Sequence, residues 1–518
     1  MVAGHADGVV KLFMNGFLPC AVIRLGEGSS IENVQFTPDL STFSILSACP
    51  DRPGRKLSVF EMLVVPDCLP ELQALSKMYS RLTAALEYLD ETLEQIGEAW
   101  EEVTVELDKK LASFADSMEP DRSTIGSELL DLLLCGQPTA ELEHFLLREL
   151  TEKGLKKLQY STDNSYHNVQ MLILKYLHAV SQSILLILFE MEGLVMASSD
   201  KYSLLGVHLD TIRAAQGRAS KFWCKGYELQ QVVGESRGSF QCFFRWLRSV
   251  LLWVEEDPGG TVEDFKLSQR EIKFIAEFLD KFDLNREYDD KGHEDNGVSD
   301  TSNLERVTHK HLERVRQYLR RGDLEQPAER SDNFWHSFLR ESPHVAEIEG
   351  VIQPNDRTSL VVEKELLKNA VAAIFDGMKT ERTRQCALLG EVILPLKGTS
   401  KCRQHICGEV EGDSRILGAT QVQDHGQADS LGTRVFYYEL RPPADLRGLW
   451  LTTDRECVDL DFYGGDTLSL LLGHGEHLRL LQLPLDRMAS SLRPLPLVTG
   501  HAVSLSVESD HGLQSRDK

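Results

Sequence analysis

Residues 75–114 read LSKMYSRLTAALEYLDETLEQIGEAWEEVTVELDKKLASF. Apolar side chains recur here at steps of three or four residues, which places them on one stripe of an α-helix. They are Leu75, Met78, Leu82, Leu86, Leu89, Leu93, Ile96, Trp100, Val103, Leu107, Leu111 and Phe114. A helix of about 45 residues would be about 70 Å long. Because one apolar face does not stabilise such a rod in water, it needs partner helices, and packed rods of this kind serve as frames more often than as reaction vessels.

Composition and charge limit the functional classes. A chain of 518 residues predicts two or three domains. The formal net charge of −24 disfavours broad binding to phosphate backbones. There is no Asn-x-Ser/Thr site and no signal-peptide pattern, and the ten cysteines form no regular framework. The most apolar run, from Ile184 to Met196, contains Glu190 and Glu192 and is too short and too charged to span a bilayer. Together these observations predict a soluble protein of the cytosol or nucleus.

The first 65 residues have the pattern of strands. Short apolar runs follow turn signals and predict strands at Gly8–Phe13, Pro19–Leu25, Phe43–Ala48 and Lys56–Met62. The segment Val34–Asp39 resembles the strand and turn that open a repeat in WD40 propellers, although a clean Trp-Asp dipeptide is missing. About one and a half blades are predicted here, whereas closed propellers have about four to eight.

Residues 69–256 are predicted to be helical throughout. Asp121–Ser123 can cap a short helix that ends at Cys135, and Pro138 can begin the next, which runs to about Leu158. Thr162–Asn164 offers caps for a third long helix that ends near Met196. A fourth helical region covers His208–Val233 and Ser239–Val254. Long helical regions with short polar loops predict an antiparallel four-helix bundle.

Beyond the bundle the pattern returns to strands. Helices are predicted at Leu267–Phe282, Asn303–Arg321 and 359–378, with an acidic loop at Tyr288–Asp300 between the first two. Residues 400–432 are rich in Gly, Asp, Gln and Ser and predict a long loop. Strands are predicted at Ala387–Leu396, Arg434–Leu440, Leu446–Thr452, Cys457–Tyr463, Thr467–Leu472 and Leu478–Leu483.

The order of strands, helices and strands predicts an α+β multidomain chain. Partial WD40-type β-propeller blades would flank a long inserted antiparallel four-helix bundle. The predicted domains are partial blades at 1–66, the bundle at 69–256, a helical extension with an acidic loop at 257–380, returning propeller-like strands at 381–496 and a disordered tail at 497–518.

A collinear series of short motifs resembles subunit 4 of the anaphase-promoting complex, or cyclosome. The series consists of Glu98-Ala99-Trp100-Glu101-Glu102, Ala140-Glu141-Leu142, Lys153-Gly154-Leu155-Lys156-Lys157-Leu158, Phe243-Phe244-Arg245-Trp246-Leu247, Ile275-Ala276-Glu277-Phe278-Leu279, Glu313-Arg314-Val315 and Gln317-Tyr318-Leu319. The resemblance runs from about residue 4 to about residue 490 and is strongest from 70 to 320.

The resemblance implies a WD40-type propeller with an inserted helical bundle. It implies a non-catalytic scaffold subunit of a cullin–RING-type ubiquitin ligase, which drives mitosis by marking substrates for proteasomal degradation. The implied partners are the platform, tetratricopeptide-repeat and cullin–RING subunits, without nucleic acid, membrane or a small-molecule substrate, in the nucleus and cytoplasm. Relative to this family the chain begins mid-propeller and ends before the last blade and acidic tail. A partial gene model or splice product would explain this, and such a propeller is not expected to close.

Cys402, His405 and Cys407 form the best metal-like cluster, Cys-x-x-His-x-Cys. A zinc site needs four ligands, and neither His425 nor Cys386 is spaced as in a known finger. We therefore predict three ordinary residues of a polar loop, and no metal or other cofactor.

Catalytic patterns are also weak. Gly234-Glu235-Ser236-Arg237-Gly238 fits the letters of a Gly-x-Ser-x-Gly motif, but it follows no predicted strand and so forms no nucleophile elbow. No Cys–His arrangement of a recognisable family, P-loop or dinucleotide-binding fingerprint is present. The adjacent carboxylates of Glu101-Glu102 and of Glu255-Glu256 would point in different directions on a helix, so neither pair is expected to share a catalytic site. Gly464-Gly465 lies between two predicted strands and is interpreted as a hairpin turn and not as a nucleotide-binding loop. No catalytic or cofactor-binding residue is predicted, and the chain is not expected to be an enzyme.

Two surfaces leave alternatives open. The helix His309–Arg321 carries Lys310, Arg314, Arg316, Arg320 and Arg321 opposite Leu312, Val315 and Leu319. It is either a surface helix that balances the acidic loop at 288–300, or a docking helix for an acidic protein or nucleic acid. Trp100 and the aromatic cluster at 240–247 are expected in the core, with some rings facing a neighbouring subunit as the alternative.

The alternative function is a free-standing adaptor, in which a propeller binds peptides and the bundle self-associates. A third possibility is an enzyme with an unrecognised site, which would need polar residues that converge in one pocket. The collinear motif series favours the scaffold.

Overall fold

The structure is a computed structural model, in which helices and antiparallel sheets alternate along the chain. It describes residues 2–4, 7–26, 29–48, 55–62, 65–117, 125–254, 267–280, 282–283, 308–325, 327–328, 334–346, 357–394, 402–407, 416–423, 433–441, 445–453, 456–463, 467–474, 477–489 and 492–494. The helices are α1 (Leu69–Ser117), α2 (Ile125–Cys135), α3 (Ala140–His144), α4 (Glu152–Leu172), α5 (His178–Ala197), α6 (Ser199–Leu204), α7 (Leu209–Val254), α8 (Gln269–Asp280), α9 (Lys310–Leu319), α10 (Phe334–Glu341), α11 (Pro343–Ala346), α12 (Leu360–Gln385) and α13 (Leu485–Ala489).

The strands lie before α1, beside α8 and α9, and after α12. They are β1 (Val2–Gly4), β2 (Val9–Met14), β3 (Leu18–Arg24), β4 (Ser30–Phe36), β5 (Thr42–Ala48), β6 (Arg55–Met62), β7 (Phe282–Asp283), β8 (Thr308–His309), β9 (Cys386–Leu394), β10 (Cys402–Cys407), β11 (Ile416–Gln423), β12 (Thr433–Arg441), β13 (Asp445–Thr453), β14 (Glu456–Tyr463), β15 (Thr467–His474), β16 (His477–Pro484) and β17 (Arg493–Pro494). The strand predicted from Val34 is present but begins four residues earlier, at Ser30, and each of the other predicted strands is confirmed with both ends within two residues of the predicted place.

The long first helix is confirmed. Helix α1 is 49 residues long, and its predicted stripe is the side that is buried. Leu75, Leu82, Leu89 and Ile96 are fully buried and Trp100 is almost fully buried. The side chains from Val103 onward in this helix, which include the last four positions of the stripe, lie outside the described residues.

The predicted break at Thr162–Asn164 is wrong. The chain is helical from Glu152 to Ala197, because α4 passes through a π-helical turn at Ile173–Leu177 directly into α5. The break lies instead at Thr151, which has a φ of 47° and whose Oγ1 accepts a hydrogen bond from the N–H of Gly154. Likewise, the two halves predicted for the fourth region form one helix, α7.

The sheet that contains β4, β5 and β6 explains the order of the chain. Strand β9 adds to it as a fourth strand, antiparallel to β6, with Met62 opposite Cys386 and Arg55 opposite Leu394. In the sequence, all residues from α1 to α12 therefore come between two strands that are neighbours in one sheet. The helices are an insertion in the chain order, as the sequence predicts.

The predicted loop at 400–432 is wrong for two of its segments. Strands β10 and β11 lie within it and pair antiparallel, and β11 also pairs with β12. Apolar alternation is weak in the sequence of both segments, because polar residues stand at odd and at even positions. A close approach requires one of the glycines: a Cβ at Gly418 would lie 2.0 Å from Cζ of Tyr438 on the neighbouring strand.

Five sheets are formed by the described strands. Their orders are β1-β2-β3, β4-β5-β6-β9, β7-β8, β10-β11-β12-β13-β17 and β14-β15-β16. The α+β class is supported by this mixture of helices and antiparallel sheets. The identity of the sheets as propeller blades, and the antiparallel four-helix bundle, stay predictions.

Contacts group the chain into two compact units. The first comprises Met1–Arg81, Met191–Thr211 and Ala372–Lys518, and the second comprises Leu82–Glu190 and Ile212–Val371. The first unit has two apolar cores: one includes Val10, Ile23 and Phe43, and the other includes Val435 and Leu468. We call the helices of the second unit the helical frame.

The helical run Glu152–Ala197 is long and apolar enough, by length and composition, to cross a membrane. It extends well beyond the apolar run at 184–196 that the sequence suggested. Half of its most apolar window is buried within the protein. Its polar contacts also resemble those of a core helix, since His178 Nε2 lies 3.1 Å from Gln230 Oε1 and Gln216 Nε2 donates to the carbonyl of Leu188.

Candidate functional site

An aromatic hub joins four helices of the helical frame. The ring of Tyr166 on α4 lies 5.6 Å from Trp100 on α1, edge to face, and 5.9 Å from Phe240 on α7. Phe278 on α8 lies 4.9 Å from Phe240, also edge to face. We define the aromatic hub as these four side chains, all of which are at most 3% exposed. Edge-to-face pairs add to the stabilisation that burial provides.

The prediction that Trp100 and the aromatic cluster at 240–247 lie in the core is confirmed. Phe240, Phe243, Phe244 and Trp246 are all at most 5% exposed. The periodicity of α1 identified Trp100 as buried. Its partners Tyr166 and Phe278 were missed, since no local pattern indicates which distant helix a side chain meets.

A buried hydrogen bond sets the position of α4 against α7. The hydroxyl of Tyr166 lies 2.7 Å from Oγ of Ser236, and both side chains are buried. Burial raises the pKa of Tyr166, so the hydroxyl remains protonated and able to donate.

The pair can be tested with a double-mutant cycle. Tyr166→Phe and Ser236→Ala should each destabilise the helical frame by about 1–2 kcal/mol, because each leaves a buried polar group unsatisfied. The double variant should lose less than the sum of the two, and urea denaturation followed by circular dichroism measures all four free energies of unfolding. Strict additivity of the two losses would show that the hydroxyls do not interact.

A polar cluster lies beside the hub on the same two helices. Nε of Arg237 donates to Asp163 Oδ1 at 2.9 Å, and Nη1 donates to Gln170 Oε1 at 2.7 Å. Nε2 of Gln241 also donates to Asp163, and Arg237 is the main cause of the lowered pKa of that carboxyl. Asp163 thus holds α4 to α7 instead of capping a helix, which explains the wrong prediction at Thr162–Asn164.

The basic helix α9 is docked on α7 through its charges. Arg314 Nη1 lies 2.8 Å from Glu235 Oε2, and its Nη2 donates to the carbonyl of Pro327. The hydroxyl of Tyr318 donates to Glu228 and accepts from the N–H of Ala328. On the other side, Arg321 pairs with Glu365 of α12. These residues therefore act as internal contacts of the helical frame, and their carboxylate partners lie outside the acidic loop at 288–300.

The first part of helix α12 forms ion pairs with α1 and α7. Asp90 pairs with both Lys364 and Lys368, and Glu363 pairs with Arg218 of α7 at 3.7 Å. Because Glu363 is fully buried, the cost of removing its carboxylate from water offsets much of its attraction to Arg218. The pair therefore fixes the position of α12 relative to α7 more than it raises the free energy of unfolding.

The weak catalytic and metal candidates can be placed only in part. Cys402, His405 and Cys407 lie on strand β10, but their side chains, His425, Glu255-Glu256 and Gly464-Gly465 lie outside the described residues. Cys386 is buried at the start of β9, where burial raises its pKa to about 11. Within the described parts of the chain, no three His, Cys, Asp or Glu side chains are grouped for a metal ion. Glu101 and Glu102 are exposed on α1.

A family model described as "Anaphase-promoting complex, cyclosome, subunit 4" matches residues 56–257, a range that includes the whole of α1 and of α7. Anaphase-promoting complex subunit 4 of Mus musculus and that of Homo sapiens are each 31% identical to the chain over 381 residues. The chain is similar to subunit 4 of the anaphase-promoting complex. The resemblance predicted from the sequence is thereby confirmed.

The extent of the match to subunit 4 is partial. The matched region covers 72% of this chain and 44% of the mouse and human relatives. Subunit 4 of Dictyostelium discoideum is 22% identical over 266 residues, which is 51% of this chain and 31% of that relative. The chain thus spans less than half the length of the subunit 4 relatives, and the helical frame includes most of what is shared with the family model.

Proposed function

We propose that this chain is a non-catalytic scaffold subunit of an anaphase-promoting complex. The observation that carries the proposal is the aromatic hub, which ties four helices together, three of which (α1, α4 and α7) lie inside the region that matches the subunit 4 family model. A scaffold needs such rigidity because it holds other subunits at fixed separations, which raises their effective concentration. The complex would act as a cullin–RING-type ubiquitin ligase in mitosis, in the nucleus and cytoplasm.

The proposed architecture follows the same reasoning. The helical frame would be an antiparallel four-helix bundle, and the sheets of the first unit would be WD40-type blades. The pairing of β6 with β9 supports an insertion of the bundle into one blade.

Exposed apolar side chains on α5 support assembly with another subunit. Leu186 is 56% exposed and Phe189 is 55% exposed, one helical turn apart, although both are large and apolar. Their neighbours Ile184, Leu185 and Leu188 face the core. Apolar surface that remains exposed in this way is typical of protein–protein contacts.

The proposal is tested by purifying the tagged 518-residue chain from mitotic cells and identifying bound proteins by mass spectrometry. We expect cullin, RING and tetratricopeptide-repeat subunits of the complex to be recovered with it. Elution of the chain alone, or as a stable homodimer, would overturn the proposal, and the homodimer would favour the free-standing adaptor.

A surface variant tests whether the exposed face of α5 contacts another subunit. Phe189→Glu should lower recovery of the other subunits severalfold while the thermal unfolding of the chain stays unchanged, because the side chain is already in water. Gln182→Glu adds the same charge at an exposed position of the same helix and should leave recovery unchanged. Equal recovery with both variants would exclude this face of α5 as a contact.

A further inference from the structure

The first unit contains an apolar cavity of about 580 Å³. It lies at the turn between β2 and β3, next to the ends of β4 and β6, the start of α1 and the end of α12. Phe13, Phe36 and Leu72 form part of its apolar wall, and Arg382 and Gln385 from the last turn of α12 add polar groups. Arg382 is the one charged residue among the described residues that line the cavity.

Arg382 is a buried cation without a counter-ion among the described residues. Its side chain is 3% exposed, and Nη2 donates to the carbonyl of Leu204 at 3.1 Å. The Nε–H is buried and has no hydrogen-bond partner. The nearest carboxylate in sequence, Glu381, forms its ion pair with Arg384 and acts on Arg382 only through a weak Coulombic interaction. Burial lowers the pKa of the Arg382 guanidinium, and a buried charge of this kind is normally matched by an opposite one.

Gln385 has an unpartnered hydrogen-bond acceptor, whereas Arg382 has an unpartnered donor. Its Nε2 donates to the carbonyl of Leu204 at 3.0 Å and to Glu381 Oε1 at 3.2 Å. These two acceptors set the orientation of the amide, since the reverse orientation would place oxygen against oxygen. Gln385 Oε1 is then left buried without a partner, as an acceptor that needs an N–H donor.

We propose that this cavity binds the C-terminal residue of a partner polypeptide that ends in an apolar side chain. The carboxylate would lie beside the Arg382 guanidinium, the backbone N–H of the same residue would donate to Gln385 Oε1, and the side chain would occupy the apolar part of the cavity. A C-terminal residue supplies an anion, an N–H donor and an apolar body together. A fatty acid supplies the anion and the apolar body but no N–H, so the peptide matches the cavity better. This inference is independent of the proposed place in a ubiquitin ligase.

Binding is measured by fluorescence anisotropy with the full 518-residue chain and a labelled hexapeptide that ends in two leucines. The free acid should bind at least tenfold more tightly than the same peptide with a C-terminal amide, because amidation removes the charge that faces Arg382. Decanoate should displace the labelled acid peptide only at higher concentration than the unlabelled acid peptide does. Equal affinity of acid and amide, no binding of either, or tighter binding of decanoate would overturn the proposal.

Substitutions at Arg382 and at Gln385 test the contribution of each side chain to peptide affinity. Arg382→Met should lower the affinity for the acid peptide at least tenfold, whereas Arg384→Met, a matched change at a side chain that is 66% exposed, should leave it unchanged. Gln385→Leu should weaken the acid peptide but not decanoate. Circular dichroism checks that each variant is folded, and the comparison of acid with amide on the unmodified chain remains decisive if one is not. Unchanged affinity in folded Arg382→Met would contradict the assignment.

Discussion

Leu89→Asp is expected to unfold the helical frame. Leu89 is fully buried on α1, so the substitution removes an apolar side chain and places a carboxylate at a position that is shielded from water. The expected loss in the free energy of unfolding is at least about 4 kcal/mol, which is a large part of the stability of an ordinary domain. Circular dichroism at 222 nm during urea denaturation measures it. In cells, we expect the variant to be missing from intact ligase complexes, without a change in the turnover of complexes that do form.

Gln95→Asp is the matched control for this prediction. It introduces the same side chain on the same helix, at an exposed position. Its effect on the free energy of unfolding should stay within about 0.5 kcal/mol. Normal assembly of the Leu89→Asp variant into the complex would contradict the proposed role of the helical frame as a scaffold.

Phe240→Ala is expected to have the second largest effect. Its ring contacts Tyr166, Phe244 and Phe278, so truncation opens a cavity at the centre of the aromatic hub. Large-to-small changes of this kind cost about 3–5 kcal/mol. The same urea titration should show a lower midpoint, and the helices should separate before the sheets of the first unit unfold.

The control for Phe240→Ala is the same substitution at an exposed phenylalanine. Phe189→Ala should change the free energy of unfolding by less than about 0.5 kcal/mol, since that ring is largely in water. If Phe240→Ala were tolerated equally well, the hub would not be what holds the four helices together.

Helix α1 was predictable because its signal is local and long. Twelve apolar positions at steps of three or four leave little choice of secondary structure. Short strands between turn signals were predictable for the same reason. The failures arise where polar residues serve a distant partner: Asp163 resembles a cap in sequence, yet it bonds Arg237 and Gln241 on another helix.

The strands β10 and β11 were missed because polar residues stand at both odd and even positions of their sequences. Their place is set by β12, whose apolar residues Val435 and Phe436 are buried, and not by their own pattern. Non-local pairing of this kind leaves no trace in a window of ten residues. The aromatic hub shows the same limit, because burial of Trp100 could be predicted but its contact with Tyr166 could not. The cavity around Arg382 depends on four separate segments of chain and was likewise outside the reach of sequence patterns.

The pairing of β6 with β9 has a consequence for synthesis on the ribosome. Ser58 donates a hydrogen bond to Glu391, 333 positions further along the chain. At a translation rate of about 5–20 residues per second, the edge of β6 waits roughly 15–70 s before its neighbour emerges. During that interval the strand presents unpaired backbone groups to any other nascent chain. The topology therefore makes this edge a site where shielding during synthesis would lower the risk of misassembly.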